Sequence, residues 1–207
     1  MFEHDLAMQL FDIGAIRFGS FQLKSGVQSP IYLDLRLTIS YPTILLALAE
    51  ALYRPLPSLR FDRICGVPYT ALPFASILSV RHILPMVMWR KEKKDHGTAQ
   101  RIEGVFSPNQ RCLIIEDVIT SGTSIFETAK DLRQAGLIVE DAVVLVDRMQ
   151  GGVQALEKQN IRVHPIFNLM QILNVLTQEH KIDKDAVDRI NAFLQENQNS
   201  RIVSCSV

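Results

Sequence analysis

The sequence has little of what marks secreted, membrane or nucleic-acid-binding proteins. Its 3 cysteines are few for 207 residues, odd in number and far apart, which excludes a disulfide framework and a paired metal-ligand motif. The 22 basic and 22 acidic residues balance, so no general surface for nucleic acid or membranes is expected. No apolar run reaches membrane-spanning length, and Glu3 and Asp5 stand where a signal peptide would be basic. These absences predict a soluble, cytoplasmic protein with small-molecule partners.

Two common phosphate-binding signatures are also missing. The chain has neither the G-x-x-x-x-G-K-[ST] loop of P-loop proteins nor the G-x-G-x-x-G turn of dinucleotide-binding domains. It shows no internal repeat and no low-complexity linker. Its length fits one large α/β domain, so we expect a single domain over residues 1–207.

Apolar, strand-like runs alternate with helix-like repeats through most of the chain. The strand-like runs lie at 62–67, 85–89, 112–115, 142–146 and 161–166. This alternation predicts an α/β fold with a doubly wound, mostly parallel sheet flanked by helices. Residues 18–36 are more typical of two short strands joined by a turn. Together with a first helix they predict a small N-terminal hood, formed mainly by residues 1–40.

The most informative stretch starts at Cys112 and reads CLIIEDVITSGTS. Its four leading apolar residues are typical of a strand buried on both faces, and open α/β sheets bind ligands beyond the carboxyl ends of such strands. Glu116 and Asp117 stand at that end. Thr120 to Ser124 then supply four hydroxyls and one glycine before a helix, for which Ser124 and Glu127 have capping-box spacing. Helix amides and hydroxyls suit a phosphate, whereas carboxylates suit sugar hydroxyls or hydrated Mg²⁺.

A ligand that carries a phosphate, a polyol and a metal together is a phosphorylated sugar. The alternative is a strand, turn and helix whose acids and hydroxyls only cap. The nine residues EDVITSGTS favour the sugar, because they resemble the signature of the phosphoribosyltransferases that bind 5-phosphoribosyl 1-diphosphate (PRPP). Many members have two aspartates where this chain has Glu116 and Asp117. The resemblance implies the type I phosphoribosyltransferase fold and a Mg²⁺ cofactor, held mainly through PRPP and not by protein side chains alone.

Three more segments resemble the orotate-specific branch of this family. They read FQLKSG at 21–26, GVPYTALP at 66–73 and RKEKKDHG at 90–97. Many bacterial members carry a lysine at the position of Thr70, and the threonine form resembles the orotate phosphoribosyltransferase half of eukaryotic bifunctional UMP synthase. Without this resemblance, the basic segment would be interpreted as a solvated loop of mixed charge and Arg148 as a salt-bridge residue.

The resemblance implies a set of site residues. Catalysis is assigned to Lys94, Glu116 and Asp117. PRPP binding is assigned to Lys24, Tyr69, Thr70, Arg90, Lys91, Lys94, His96, Glu116, Asp117, Val118, Ile119, Thr120, Ser121, Gly122, Thr123 and Ser124. Orotate binding is assigned to Tyr32, Leu33, Thr120 and Arg148. In the family the basic loop reaches into the neighbouring subunit's site, which implies a homodimer, with neither nucleic acid nor membrane as a partner.

The implied reaction joins a ring nitrogen of orotate to the ribosyl C1′ of PRPP and releases diphosphate, giving orotidine 5′-monophosphate in pyrimidine biosynthesis. Two alternatives stay open. One is a phosphoribosyltransferase for another base, which would use uracil or a purine but not orotate. The other is a non-catalytic regulator that binds PRPP as a signal and is retained on operator DNA without turnover.

Overall fold

The structure is a computed structural model that describes residues 2–22, 26–91 and 101–204. Its strands are β1 (Ile16–Gln22), β2 (Gln28–Leu33), β3 (Arg63–Gly66), β4 (Met86–Trp89), β5 (Ile102–Glu103), β6 (Cys112–Ile119), β7 (Asp141–Asp147) and β8 (Arg162–Asn168). Its α-helices are α1 (Phe2–Asp12), α2 (Pro42–Tyr53), α3 (Ala71–His82), α4 (Thr123–Gln134), α5 (Gly152–Glu157), α6 (Leu169–Gln178) and α7 (Lys184–Ser204). Short 3₁₀ helices cover Leu35–Ser40 and Leu56–Ser58.

Six strands form one sheet in the order β5–β4–β3–β6–β7–β8. All neighbouring pairs are parallel except β4 with β5. The chain leaves β3 for β4 on one side, and β6 then returns to the other side of β3, so the strand order reverses between β3 and β6. In open α/β sheets such a reversal places the ligand crevice at the carboxyl ends of the two strands. The predicted doubly wound, mostly parallel sheet is confirmed; the short antiparallel β5 was not predicted.

The two faces of the sheet are covered by separate cores. Leu113 and Ile115 of β6 pack in the core that includes α2, α3 and α6. Cys112 and Ile114 pack in the core that includes α4. Successive strand side chains point to opposite faces, and here both faces are apolar. Coverage on both sides explains why this strand reads as a continuous apolar run instead of an alternating one.

The hood consists of α1 and the antiparallel β1–β2 ribbon, which is separate from the main sheet. The ribbon register shifts between Phe18 and Phe21, opposite Pro30. Proline has no N–H to give to a ladder, so an irregularity opposite it disrupts fewer hydrogen bonds. The buried Ile16 and Ile31 attach the ribbon to the core that contains α1, α2 and α3. Within the described ranges, no helix is both long and apolar enough to cross a membrane.

Candidate active site

A cavity of about 220 Å³ lies at the carboxyl end of β6. Its lining residues are Glu116, Val118, Ile119, Thr120, Ser121, Gly122, Thr123, Ser124 and Ile125. A larger cavity, of about 580 Å³, lies between the hood and α7 and contains none of the predicted site residues. The smaller cavity is the candidate site, because it combines hydroxyls, backbone amides and a carboxyl group at the point where the strand order reverses.

The turn from Thr120 to Ser124, called here the phosphate turn, has donors available for an anion. Helix α4 begins at Thr123, and Gly122 is its N-cap, with a left-handed φ of 80°. The predicted capping box is wrong: Ser124 lies inside the first helical turn, where its carbonyl accepts a hydrogen bond from Thr128 Oγ1 at 2.8 Å. Glycine has no capping side chain, so within the described structure no side chain caps the first amides of α4. Uncapped amides at a helix N-terminus favour an anion.

The phosphate turn is packed tightly against the turn that begins α5. A Cβ atom on Gly152 would lie 2.6 Å from the Thr120 carbonyl oxygen and 2.7 Å from Ile119 Cγ1. A Cβ atom on Gly122 would lie 2.9 Å from Leu156 Cγ. These separations are too short for any side chain, so both glycines are needed for the close approach. Gly151 and Gly152 were predicted only to form a turn; their contact with the phosphate turn is not visible in the sequence.

The two adjacent acids in the second half of β6 differ in environment. Glu116 is 5% exposed and lines the cavity, and its Oε1 accepts the Asp117 backbone N–H at 3.0 Å. Burial, reinforced by the charge of Asp117, raises the pKa of Glu116 well above its usual value. Burial thus favours the protonated form of Glu116, and a neutral acid beside the phosphate turn would not repel a phosphate. Asp117 is half-buried and does not line this cavity.

The carboxyl end of β7 lies beside the phosphate turn. The Arg148 backbone N–H donates to the Ile119 carbonyl oxygen at 3.0 Å, and the Arg148 side chain is buried. Asp147, which was not predicted as a site residue, is half-buried and accepts the Met149 backbone N–H at 2.8 Å. Burial raises the pKa of Asp147. Its signal in the sequence was the same as that of Glu116, an acid that directly follows a buried strand.

The base of the predicted basic segment is an antiparallel strand pair. Trp89 pairs with Ile102, and the Arg90 backbone N–H donates to the Arg101 carbonyl oxygen at 2.8 Å. The Arg90 side chain also contacts Glu103, with Nη1 3.3 Å from Oε1. Lys91 is exposed. The predicted residues Lys24, Lys94 and His96 lie outside the described residues.

Comparison with known proteins gives consistent matches. The sequence model of the phosphoribosyl transferase domain matches residues 43–162, more than half of the chain. A uridine 5′-monophosphate synthase of Bos taurus is 50% identical over 194 residues, which cover 93% of this chain and 40% of that protein. An orotate phosphoribosyltransferase of Chlamydia caviae is 42% identical, over 86% of this chain and 87% of that protein. The chain belongs to the phosphoribosyltransferase family.

A solved structure, that of Leishmania donovani UMP synthase, resembles this phosphoribosyltransferase with a TM-score of 0.86 and 36% identity, over 94% of this chain and 42% of that chain. The chain thus spans about two fifths of the length of the UMP synthases that it matches. The match with the shorter orotate phosphoribosyltransferase extends over most of both chains. The resemblance to the orotate branch and the type I fold, both predicted from the sequence, are confirmed.

In this phosphoribosyltransferase Tyr69 and Thr70, which were predicted to bind PRPP, lie in the loop after β3, next to β6. The Val67 backbone N–H donates to the Ile115 carbonyl oxygen at 2.9 Å, which extends the β3–β6 pairing into this loop. The Pro68–Tyr69 peptide is cis, Tyr69 is 65% exposed, and Thr70 is the N-cap of α3. The loop therefore lies at the strand reversal, where open α/β sheets bind ligands.

The residues predicted to bind orotate lie in two places. Tyr32 in the hood stacks on Phe21 with ring centroids 5.5 Å apart, and its hydroxyl accepts a hydrogen bond from Arg36 Nη2 at 3.1 Å. Leu33 packs at the edge of the core that contains α3. Tyr32, Leu33 and Arg148 do not line the 220 Å³ cavity, whereas Thr120 does. The structure thus groups the phosphate-turn residues around this cavity, and the roles assigned to all the site residues stay predictions.

Binding of a divalent cation at this site would require ligands from the substrate. Among the described residues, no group of three or more histidines, cysteines, aspartates or glutamates is placed to hold a metal ion. Asp117 offers one partly exposed carboxylate, the oxygen ligand that Mg²⁺ prefers. Because Mg²⁺ keeps several waters and often uses substrate phosphates as ligands, this single carboxylate fits a metal that enters with PRPP.

Gly152→Ala is expected to raise the KM for PRPP, the substrate that the family resemblance implies, about tenfold. The new methyl group would press on the Thr120 carbonyl and shift the phosphate turn; such overpacking costs about 1–3 kcal/mol, and about 1.4 kcal/mol is tenfold in binding. Gly151→Ala is the matched control, because its Cβ would meet nothing within 4 Å although its φ of 86° adds strain. Steady-state kinetics with varied PRPP test this, and equal KM changes in the two variants would contradict the assigned contact.

Proposed function

We propose that this chain transfers the 5-phosphoribosyl group from PRPP to orotate, which gives orotidine 5′-monophosphate and diphosphate in pyrimidine biosynthesis. The observation that carries the proposal is the uncapped N-terminus of α4, where amides and hydroxyls surround a cavity at the strand reversal. The choice of orotate is supported by relatives named orotate phosphoribosyltransferase that match over most of their length.

The proposed reaction breaks the bond between C1′ and the diphosphate oxygen and forms a bond from C1′ to a ring nitrogen of orotate, whose proton is released with the diphosphate. Positive charge develops on the ribose and negative charge on the leaving diphosphate, and a site stabilises such charges with fixed groups of opposite sign. The phosphate turn anchors the 5′-phosphate, and Glu116 lies beside it as a neutral acid. Asp117 holds the ribose hydroxyls and favours the developing cation, and Lys94 stabilises the diphosphate.

Mg²⁺ is the proposed cofactor and would supply further positive charge to the diphosphate. Support for it is the chemistry of Asp117, whose carboxylate can hold a hydrated ion together with the sugar hydroxyls. The protein does not need a full set of metal-ligating side chains, because PRPP itself supplies oxygen ligands to the ion. Removal of divalent cations with a chelator is expected to abolish turnover.

The loss of orotate's ultraviolet absorbance tests the proposed function. We expect the absorbance to fall only when protein, PRPP and Mg²⁺ are all present. Turnover of uracil or a purine without turnover of orotate would establish a transferase for another base. Retention on operator DNA with no turnover of any base would establish a regulator, and either result would overturn the proposal.

Arg148→Ala is expected to raise the KM for orotate about 10-fold to 100-fold and to leave the KM for PRPP within threefold. Arginine binds a planar carboxylate with two hydrogen bonds, and a hydrogen bond to a charged group is worth about 1.5–3 kcal/mol. Arg148→Lys keeps the charge but not the paired geometry, so it should recover only part of the affinity. Equal losses of affinity for both substrates would show that Arg148 is a structural residue.

We also propose that the chain forms a homodimer, as the family resemblance implies. Support comes from three exposed apolar side chains near each other in the sequence, Val80 (78%), Ile83 (85%) and Met88 (39%). Val80 lies in the last turn of α3, Ile83 directly follows this helix, and Met88 is on β4, the strand that follows. Exposed apolar groups of this kind are typical of protein interfaces.

Val80→Asp is expected to convert the dimer to a monomer, because a charge would enter an apolar interface. Size-exclusion chromatography with light scattering measures the mass. Ile39→Asp is the matched control: Ile39 is a β-branched residue that is 54% exposed in a different element, the 3₁₀ helix Leu35–Ser40, so its variant should stay dimeric. A monomeric wild-type protein would contradict the proposal.

A cytoplasmic location is the remaining proposal. Cys65 and Cys112 are both buried free thiols on adjacent strands. Free thiols are usual in reducing compartments, where disulfides rarely form. Immunofluorescence or fractionation of the source cells would test it, and recovery in a secreted fraction would contradict it.

A further inference from the structure

One carboxylate of α4 connects this helix to the strand pair at the base of the basic segment. Asp131 Oδ2 accepts a hydrogen bond from the Trp89 indole Nε1 at 2.8 Å and a second from Arg101 Nη1 at 2.8 Å. Trp89 is buried, and the Asp131 side chain is only 17% exposed. Hydrogen bonds to an ionised acceptor in a shielded position are among the strong ones.

The two donors come from opposite strands of the same pair. Trp89 is the last residue of β4, and Arg101 directly precedes β5. Their positions flank Arg90 and Lys91, two residues that the family resemblance assigns to PRPP. The strand pair itself is short, because β5 has two residues and is at the edge of the sheet. Contacts outside the ladder must therefore determine how this edge is placed.

Asp131 remains ionised in this contact. Burial alone would raise its pKa, but the hydrogen bonds from Trp89 and Arg101 outweigh burial and lower the pKa of Asp131 below its usual value. The carboxylate thus keeps both donors at neutral pH. The same helix begins at the phosphate turn, so the contact fixes the edge strands relative to the proposed PRPP site.

We propose that Asp131 is a positioning residue for phosphoribosyl transfer, which holds Trp89 and Arg101 so that Arg90 and Lys91 stand correctly relative to the phosphate turn. The proposal rests on the proposed function. Asp131 would not touch substrate, and its effect would pass through the edge strands. Nothing in the local sequence indicates the contact, since the partners are 42 and 30 residues away from Asp131.

Kinetics of Asp131→Asn test the proposal. We expect kcat/KM for PRPP to fall about tenfold or more and the KM for orotate to stay within twofold, because Asn keeps the size of the side chain but loses the charge. Glu127→Gln is the matched control on the same helix, since Glu127 is exposed and carries the same change of charge. A lower Tm with unchanged kinetic constants would show that Asp131 is only structural and would overturn the proposal.

A double-mutant cycle separates positioning from direct binding by Arg101. If Arg101 acts through Asp131, Arg101→Gln should reproduce the selective loss. The Asp131→Asn/Arg101→Gln double variant should then have a kcat/KM for PRPP no lower than that of the more impaired single variant. Fully additive losses would mean that Arg101 contacts PRPP by itself, and would overturn the proposal.

Fluorescence gives a readout that does not depend on turnover. Trp89 is the only tryptophan in the sequence, so its emission reports directly on the indole that donates to Asp131. Asp131→Asn should shift the emission of the free protein, while Glu127→Gln should not. If the wild-type protein lacks transferase activity but this shift occurs, the proposed function fails and the contact stands. If the wild-type protein is active and no shift occurs, the positioning role fails.

Discussion

Asp117→Asn is expected to lower kcat by about 10² to 10³ at saturating PRPP and orotate. A carboxylate about 4 Å from a unit positive charge is worth about 4 kcal/mol at an effective dielectric near 20. Each 1.36 kcal/mol of transition-state energy changes the rate about tenfold, and the ribose carries only part of a full charge. Asn keeps the shape of Asp117 and removes the charge, so folding should be unaffected. Steady-state assays with thermal unfolding as a control measure both effects.

Glu116→Gln is the matched variant and should keep kcat within about fivefold, which departs from the catalytic role that the family resemblance assigns to Glu116. The buried Glu116 is expected to be protonated, and Gln is its neutral equivalent in size. Replacement of the acid by its amide should thus lower kcat strongly at Asp117 and only slightly at Glu116. Equal losses in both variants would mean that Glu116 is ionised in the complex and that burial does not set its charge.

Burial of Glu116 also makes the stability of the fold depend on pH. The folded-state pKa is raised, so the protonated form stabilises the fold at low pH, and this contribution is lost as pH rises from 4.5 through the folded-state pKa. Gln does not titrate. Glu116→Gln should therefore raise Tm more at pH 8 than at pH 5, and a Tm difference that is the same at both pH values would argue against the raised pKa.

Lys94→Ala is the second variant with a large expected effect, a fall in kcat of about 10² to 10³. A lysine about 4 Å from a phosphate oxygen is worth about 1 kcal/mol in water and about 4 kcal/mol at an effective dielectric near 20. The difference, about 3 kcal/mol, corresponds to roughly a hundredfold in rate. Exclusion of water from the site thus gives a basic residue most of its catalytic effect.

Lys93→Ala is the control for this variant, because it removes an adjacent lysine of the same segment. Its kcat should stay within threefold of the parent protein, since the family resemblance assigns Lys94 and not Lys93 to PRPP. A kcat within threefold for Lys94→Ala would refute the catalytic role. The measurement needs saturating PRPP, so that weaker binding is not mistaken for slower chemistry.

Local patterns in the sequence were enough to predict the main sheet. Four apolar residues before Glu116 predicted a strand covered on both faces, and the structure places their side chains alternately in two cores. The pattern missed β5, because a strand of two residues has no periodicity to detect. It also misplaced the start of α4, since Ser124 and Glu127 have capping-box spacing but Gly122 in a left-handed conformation already ends the turn.

The chemistry of the site depends more on contacts between residues far apart in the chain than on local sequence patterns. The sequence identifies Glu116 as an acid, but its burial and raised pKa result from packing of the sheet against α4. The contact of Gly152 with Thr120 and the hydrogen bonds of Asp131 likewise join segments far apart in the chain. The sequence can identify which side chains matter, whereas their protonation and the distances between them follow only from the folded structure.

A crystal structure of the protein with PRPP and Mg²⁺ tests the central claim most directly. The account predicts the 5′-phosphate against the amides and hydroxyls from Thr120 to Ser124, with the ribose hydroxyls beside Asp117. Electron density for PRPP in the larger cavity between the hood and α7, or anywhere away from Asp117, would contradict it.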